Sequence, residues 1–375
     1  MAKIHVGSDF ELPLDHLFGR KQRINPGVYN NGKQYRFMSR GRASIRLALN
    51  NVEIKKGSEA LLPAYLFNCL LHPFQEKGMI VKYYKLNPDL SMDMTDIKSK
   101  ISNKTQIMYV IHYFGFPQDM ERLAWLKKEF PNCILIEDLA QALGSACINK
   151  SLGTYGDFAF NNFIKFGAFP DGSILTINNN TLILAQRKPD MVHLLYVILR
   201  YLAMTIKNIC LKVRLLPQFF YRILFRYSNE LAERQPMCAE MSFISKRLIQ
   251  REDFKELVLQ RRSNFRYLLE KWNSSILLPM YGTLPEKVCP FGFIVLAEER
   301  DRIVNELSKK GIYCPIQWSP TAHNKFEALP SELDSDDYPV SRQIARRIIM
   351  IPIDQRYGKK EMDYILEKVG QLSAR

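Results

Sequence analysis

No CxxC pair occurs among the seven cysteines, which stand singly at 69, 133, 147, 210, 238, 289 and 314. Cysteines spaced this way supply neither the paired ligands of a zinc site nor a disulfide framework, so no metal is expected, and they suit a reducing compartment. The opening stretch MAKIHVGSDFELPLDH lacks the apolar run of a secretory leader, which predicts a cytoplasmic protein. No repeat with a period of roughly 20–50 residues recurs, so a solenoid is not expected. The net charge is +15, which by itself suits nucleic acid, a membrane surface or a polyanionic substrate. Yet no basic stretch is interleaved with aromatics in a recognisable nucleic-acid module, so nucleic acid is not an expected partner. Acidic residues are missing altogether from 191 to 228.

What is present describes a globular protein. A 47% hydrophobic and 24% charged composition over 375 residues allows two domains and a large buried core. Ala60–Pro63, Met79–Tyr84, Thr105–Tyr113 and Cys133–Ile136 read as buried strands. A helix running to about Lys77 and an amphipathic helix at Asp119–Phe130, with Leu123, Leu126 and Phe130 inward, lie between them. Apolar strands alternating with helices predict an α/β fold whose mostly parallel sheet is covered on both faces. Ligands of such sheets bind at the carboxyl ends of strands. His112, Asp138 and Lys165 all fall at strand ends or strand-edge loops.

Lys165 is the one lysine in Asp157–Leu175. The run Phe158-Ala159-Phe160 precedes it. The turn Pro170-Asp171-Gly172-Ser173 and the strand-like Ile174–Ile177 follow it. Two readings stand. The side chain can lie along apolar surface with its amine in water. Or the amine is desolvated at the sheet edge, loses basicity and becomes a nucleophile for a carbonyl. Asp138 follows four apolar residues and precedes Leu139-Ala140-Gln141. It reads either as a helix N-cap or as a carboxylate at the sheet mouth that needs a cationic partner, such as a protonated pyridine nitrogen. Ser39-Arg40-Gly41-Arg42-Ala43-Ser44 leads into a short helix through IRLALNNV. That stretch reads as an ordinary helix start, or as one whose small residues leave backbone N–H groups to hold an anion.

Together these stretches resemble the DegT/DnrJ/EryC1/StrS family, the pyridoxal-phosphate sugar aminotransferases of fold type I, from about Arg36 to about Val369. RGRASIRLAL resembles the family's phosphate-binding helix start, and LLPAYLF the segment bearing the aromatic over the cofactor ring. IHYFGFPQD and ILIEDLAQALGS resemble the next two strand ends. DFAFNNFIKFGAFPDGSIL resembles the lysine segment of the branch with a PDGG turn. GIYCPIQW and MIPIDQRYGKKEMDYI resemble the small-domain signatures. The order and spacing of all seven carry the likeness.

The resemblance implies a fold type I α/β large domain with a smaller α/β carboxy-terminal domain, and pyridoxal 5'-phosphate as cofactor. Lys165 would hold the cofactor covalently through its aldehyde and shuttle a proton. Asp138 would pair with the ring nitrogen, Gln141 would lie beside the ring, and Phe67 would stack on it. Gly41, Arg42 and Ala43 would hold the phosphate at the helix start, with Asn162 standing where the family commonly has a phosphate-binding Ser. His112, Trp318 and Arg356 lie on segments that would face substrate. The substrates would be a keto sugar, nucleotide-linked, and an amino-acid donor such as glutamate. The family's site is completed across a homodimer, and its usual setting is polysaccharide or glycolipid assembly. A related dehydratase branch carries histidine in place of the lysine, and Lys165 argues against it. Ser173 replaces the second glycine of the PDGG turn. With Asn162, it gives weight to a second reading, a non-catalytic scaffold or regulator that keeps the fold.

The expected organisation is an amino-terminal arm at 1–35, with turns at 25–27 and 30–32, and a large cofactor domain at 36–190. A basic apolar helical insertion at 191–235 and a small domain at 236–375 follow. Between 191 and 228 stand six basic residues: Arg200, Lys207, Lys212, Arg214, Arg222 and Arg226. Pro217 splits two helices there. The longest uncharged run, Met191–Leu199, is far short of the roughly 18 residues of a spanning helix. The pair reads as a subdomain or dimer contact, or as a cationic amphipathic surface that meets the inner face of an anionic membrane.

Overall fold

The computed structural model describes residues 4–13, 34–147, 151–178, 188–213, 219–233, 239–320 and 328–373. The turns expected at 25–27 and 30–32, along with Arg214 and Pro217, lie outside these residues. Twelve strands follow in chain order among those described: β1 (Val6–Gly7), β2 (Gln34–Met38), β3 (Glu59–Pro63), β4 (Ile80–Tyr84), β5 (Thr105–Ile111) and β6 (Ile134–Leu139), then β7 (Phe158–Asn162), β8 (Ser173–Ile177), β9 (Leu278–Pro279), β10 (Phe293–Leu296), β11 (Ile312–Tyr313) and β12 (Ile348–Ile351). The helices are α1 (Gly41–Asn50), α2 (His72–Glu76), α3 (Met94–Lys100), α4 (Met120–Glu129), α5 (Met191–Val213) and α6 (Phe219–Glu233), then α7 (Phe243–Ile249), α8 (Phe254–Lys271), α9 (Arg300–Lys309), α10 (Pro339–Arg347) and α11 (Lys359–Ser373).

Two compact units emerge. The first comprises Met1–Ser8, Ile54–Gly156 and Lys255–Arg375. The second comprises Asp9–Glu53 and Asp157–Phe254. Seven strands make the main sheet, which is mixed and mostly parallel.

In the first unit the order is β6-β5-β3-β4, all parallel. Every residue of β3 is buried, and so is nearly all of β5. This is why both read as continuous apolar runs rather than alternating ones. Glu59 is the buried exception in β3. It accepts from Ser102 and Thr105 and pairs with Lys82 at 2.7 Å. Aspartates start the covering helices: Asp93 accepts from the amides of Thr95 and Asp96, and Asp119 from that of Arg122. Such caps satisfy amides that the first helical turn leaves unpaired. On α4, Leu123 and Leu126 point inward, whereas Phe130 lies past the helix end and is only half-buried.

The remainder of this unit holds the antiparallel sheet β12-β10-β9 and the parallel pair β1–β11. Phe265, Phe293, Ile303, Ile349 and Ile365 fill its core. The β1 strand was not apparent in the sequence, because two residues carry no periodicity. Gly115 joins the two parts of this unit tightly. Its φ is +96°, and a Cβ there would stand 2.1 Å from the Cys289 carbonyl oxygen. Gly115→Ala is therefore expected to destabilise the protein by at least about 1–3 kcal/mol from backbone strain alone, read as a lower urea midpoint.

In the second unit β8 lies between β2 and β7, antiparallel to both. Residues 34–35 of β2 had read as part of the amino-terminal arm. An exposed, polar edge strand gives little pattern to find, and β2 is exposed at Gln34 and Tyr35. The insertion forms α5 and α6. Arg40 lies 4.5 Å over the Tyr196 ring and donates to the Ala232 carbonyl. Arg200 donates to Asn229. These pairings set 196 opposite 232 and 200 opposite 229, so the two helices run antiparallel.

Candidate active site

The first unit supplies a buried polar cluster at the carboxyl ends of β5 and β6. Successive strand residues face opposite ways, so Glu137 and Asp138 serve different partners. Glu137 is fully buried and accepts from the amides of Gly153, Tyr155 and Gly156 at 3.0, 2.8 and 2.5 Å. It anchors the loop after β6. His112 is also fully buried. Its Nδ1 accepts from the Gln118 amide at 3.1 Å, which leaves the neutral ring's proton on Nε2. Nε2 faces Glu137 at 3.4 Å, within ion-pair range but outside good hydrogen-bond geometry. Its backbone N–H donates to the Asp138 carbonyl, so this histidine holds the two strand ends together.

The Asp138 carboxylate is 4% exposed. Its Oδ1 accepts from the Ala140 amide at 2.8 Å and its Oδ2 from the Tyr109 hydroxyl at 2.7 Å. Burial, reinforced by the Asp138 carboxylate, pushes the Tyr109 phenol well above its usual range. It therefore stays protonated and donates. Tyr109 was missed in the sequence. It sits on the same face of β5 as Ile111, the register partner of Asp138, and only that register reveals the pairing. Tyr109→Phe is expected to cost about 1.5–3 kcal/mol, the range for a hydrogen bond to a charged group, measured by urea unfolding.

Gln141 is 2% exposed. Its Oε1 accepts from the Phe114 amide at 3.0 Å. Its Nε2 is buried and has no acceptor among the described residues. An unmatched buried donor is costly, and here it marks a place for an acceptor on a ligand. Phe67 lies nearly parallel to Trp318, with centroids 5.9 Å apart. Tyr65 packs on the same indole at 4.9 Å and donates from its hydroxyl to the Gln317 carbonyl. Trp318 is held at φ +49°, a strained region for a bulky residue. Arg356 is engaged within the chain. It meets Asp354 at 2.7 and 3.0 Å and donates to the Ser8 carbonyl.

The second unit carries the lysine and the helix start. Lys165 ends a single 3₁₀ turn, Phe163–Lys165, and is half-buried between the buried Phe163 and Phe166. Asn162 Oδ1 caps that turn by accepting from the Ile164 amide, and its Nδ2 lies beside Gly41. A Cβ on Gly41 would meet the Phe160 ring at 2.9 Å. No side chain caps α1, and its first turn has no acidic residue. Arg42 and Ala43 follow Gly41 in that turn. Ser173 is fully buried. Its hydroxyl donates to the Asn161 carbonyl at 2.6 Å and bonds Ser44 Oγ at 2.8 Å. The side chain that departs from a PDGG turn therefore ties β8 to β7 and α1.

Each unit by itself presents residues that fit a part of pyridoxal phosphate. A buried carboxylate held by Tyr109 and the Ala140 amide suits a ring N–H, and the unmatched Gln141 donor suits a ring oxygen. An uncapped helix start with a glycine suits a phosphate, and Asn162, three residues before Lys165, lies beside that glycine.

Comparison with known proteins agrees. Residues 37–191 match the model of the DegT/DnrJ/EryC1/StrS aminotransferase family. GDP-perosamine synthase of Escherichia coli O157:H7 is 24% identical over 349 residues, covering 89% of this chain and 84% of that protein. The dTDP-3-amino-3,6-dideoxy-alpha-D-galactopyranose transaminase of Aneurinibacillus thermoaerophilus is 25% identical over 370 residues, covering 97% and 89%. Spr1654 of Streptococcus pneumoniae, described as a sugar aminotransferase and solved in its PMP form, shares the fold. Its TM-score is 0.69 at 18% identity, and the match covers 99% of this chain and 98% of that one. Residues 37–191 thus carry the match to the DegT/DnrJ/EryC1/StrS aminotransferase family, and the chain shares the fold of a solved sugar aminotransferase.

Proposed function

We propose that this protein moves an amino group from an amino-acid donor, glutamate, to a keto sugar carried on a nucleotide, in polysaccharide or glycolipid assembly. It acts as a cytoplasmic homodimer. The observation that carries this reading is the cluster at the end of β6. There the buried carboxylate of Asp138 is oriented by Tyr109, and the Gln141 amide has a donor with no acceptor among the described residues. Relatives named for acting on GDP- and dTDP-linked sugars support the nucleotide.

When bound, pyridoxal phosphate supplies the electron sink through which an amino group passes between carbon frames. Each residue then has a task. Asp138 accepts from the ring N–H and keeps it protonated, while Tyr109 and the Ala140 amide hold the carboxylate in place. Gln141 Nε2 donates to the ring's oxygen. The amides of Gly41, Arg42 and Ala43 hold the phosphate, and the Asn162 amide donates where a hydroxyl commonly does. Lys165 holds the cofactor covalently at rest and carries a proton between reacting carbons. Phe67 would lie against the ring, and Trp318, stacked on Phe67, would face the sugar. His112 and Arg356 act through the pairs they already make, at the strand ends and with Asp354.

The test is a two-part turnover assay of the purified protein with added cofactor. Glutamate should convert the bound cofactor to its amine form, seen as loss of visible absorbance with release of 2-oxoglutarate. Nucleotide-linked keto sugars should then restore the absorbance, and free keto sugars should not. No reaction with any amino-acid donor would favour the scaffold reading. Equal reaction with free sugars would remove the nucleotide from the proposal.

A further inference from the structure

The insertion has two sides with different chemistry. Its inner side is built into the second unit. His193 is fully buried and meets Asp171 at 2.9 Å, the Tyr196 hydroxyl donates to the Pro170 carbonyl at 2.6 Å, and Lys207 pairs with Glu11 at 3.2 Å. By length and composition α5 could cross a membrane. These bonds instead fix it along the protein, with one face buried.

Its outer side is apolar and cationic. Leu195, Ile198 and Leu202 are exposed along α5, at the spacing of one helix face. The antiparallel pairing brings the end of α5 beside the start of α6. There Phe219 is 64% exposed and Phe220 53%, next to exposed Lys212, Arg222 and Arg226. No acidic residue occurs between 191 and 228 to offset these cations. Large aromatics at this exposure lose solvation free energy unless something covers them.

We propose that this end of the α5–α6 hairpin is a docking surface for an anionic lipid bilayer. The aromatics enter the headgroup boundary while Lys212, Arg222 and Arg226 meet lipid phosphates. A second copy of the chain fits less well. A two-fold contact sets a patch against itself, and would place like cations together with no acid from the segment between them. The surface holds the enzyme side-on at the membrane and leaves the anchored inner face unchanged. The inference is independent of the aminotransferase reading.

The experiment is flotation of the full chain with phosphatidylcholine vesicles, with and without phosphatidylglycerol, at low and high salt. The unaltered protein is expected to float with the anionic vesicles, much less at high salt, and not with neutral ones. Phe219→Ser/Phe220→Ser and Lys212→Glu/Arg222→Glu/Arg226→Glu are each expected to lower the bound fraction. The charge variant should lose affinity on the order of a hundredfold, since each cation near an anionic surface contributes roughly a fivefold factor. Thermal midpoint and light scattering serve as controls for folding and association. No flotation of the unaltered protein overturns the proposal. So does unchanged flotation of folded variants. Loss of dimer in the variants with flotation unchanged would also overturn it, and would assign the face to a second copy.

Discussion

Lys165→Ala is expected to abolish covalent capture of pyridoxal phosphate. Borohydride treatment of the unaltered protein should leave a reduced cofactor adduct on the peptide containing Lys165, detected by mass spectrometry, and the variant should carry none. Turnover should fall by at least about 10²–10⁴-fold, the range for losing a positioned acid–base group. The loss of the amine proposed to hold the cofactor adds to that. The fold should survive, because Lys165 is half-buried at the end of one 3₁₀ turn and not in the core. An adduct on another lysine, or unchanged turnover, would remove Lys165 from the chemistry. A protein that takes no adduct even with Lys165 present would have kept the fold for another purpose.

The second large effect concerns stability. Asp171 is fully buried in the turn after Lys165. One oxygen faces His193 Nε2 and the Ser242 amide, each at 2.9 Å. The other accepts from the Ser242 hydroxyl at 2.6 Å. The Asp171 backbone N–H donates to Ser245 Oγ. Asp171→Ala leaves three donors buried without an acceptor. The expected loss is about 3–5 kcal/mol, as for removing one partner of a buried charged network. It should appear as a lower urea midpoint and poorer yield of folded protein. His193→Ala removes one bond and leaves the two from Ser242, so it should cost clearly less. Equal and small losses in both variants would mean that the turn is held by packing alone. The network also explains why the PDG sequence matters beyond its turn geometry. Gly172, at φ +140°, lets the chain reverse, while Asp171 fastens the reversal to α5 and the start of α7.

The departures at Asn162 and Ser173 acquire physical accounts in this setting. Ser173 fills its position with two short hydrogen bonds, so it strengthens the joint between α1 and the sheet. Asn162 caps the lysine turn and still directs its amide toward the helix start.

The sequence by itself determined the fold class and the chemical candidates. Strands buried on both faces must be apolar throughout, so β3, β5 and β6 announced a parallel sheet. The order of short motifs from RGRASIRLAL to the carboxy-terminal segments carried the family resemblance, because each keeps its place relative to Lys165. Tertiary structure alone decided which candidates share partners. Tyr109 reaches Asp138 only through the register of β5 on β6, a relation between strands that local periodicity does not encode. Asp171 meets His193 and Ser242 across long stretches of chain. His112 and Arg356 had the residue types of a substrate site. Only the folded chain shows that Glu137 and Asp354 stand beside them. The sequence marked the insertion as basic and apolar, but which of its residues face outward depends on the bonds that pin α5 to the second unit.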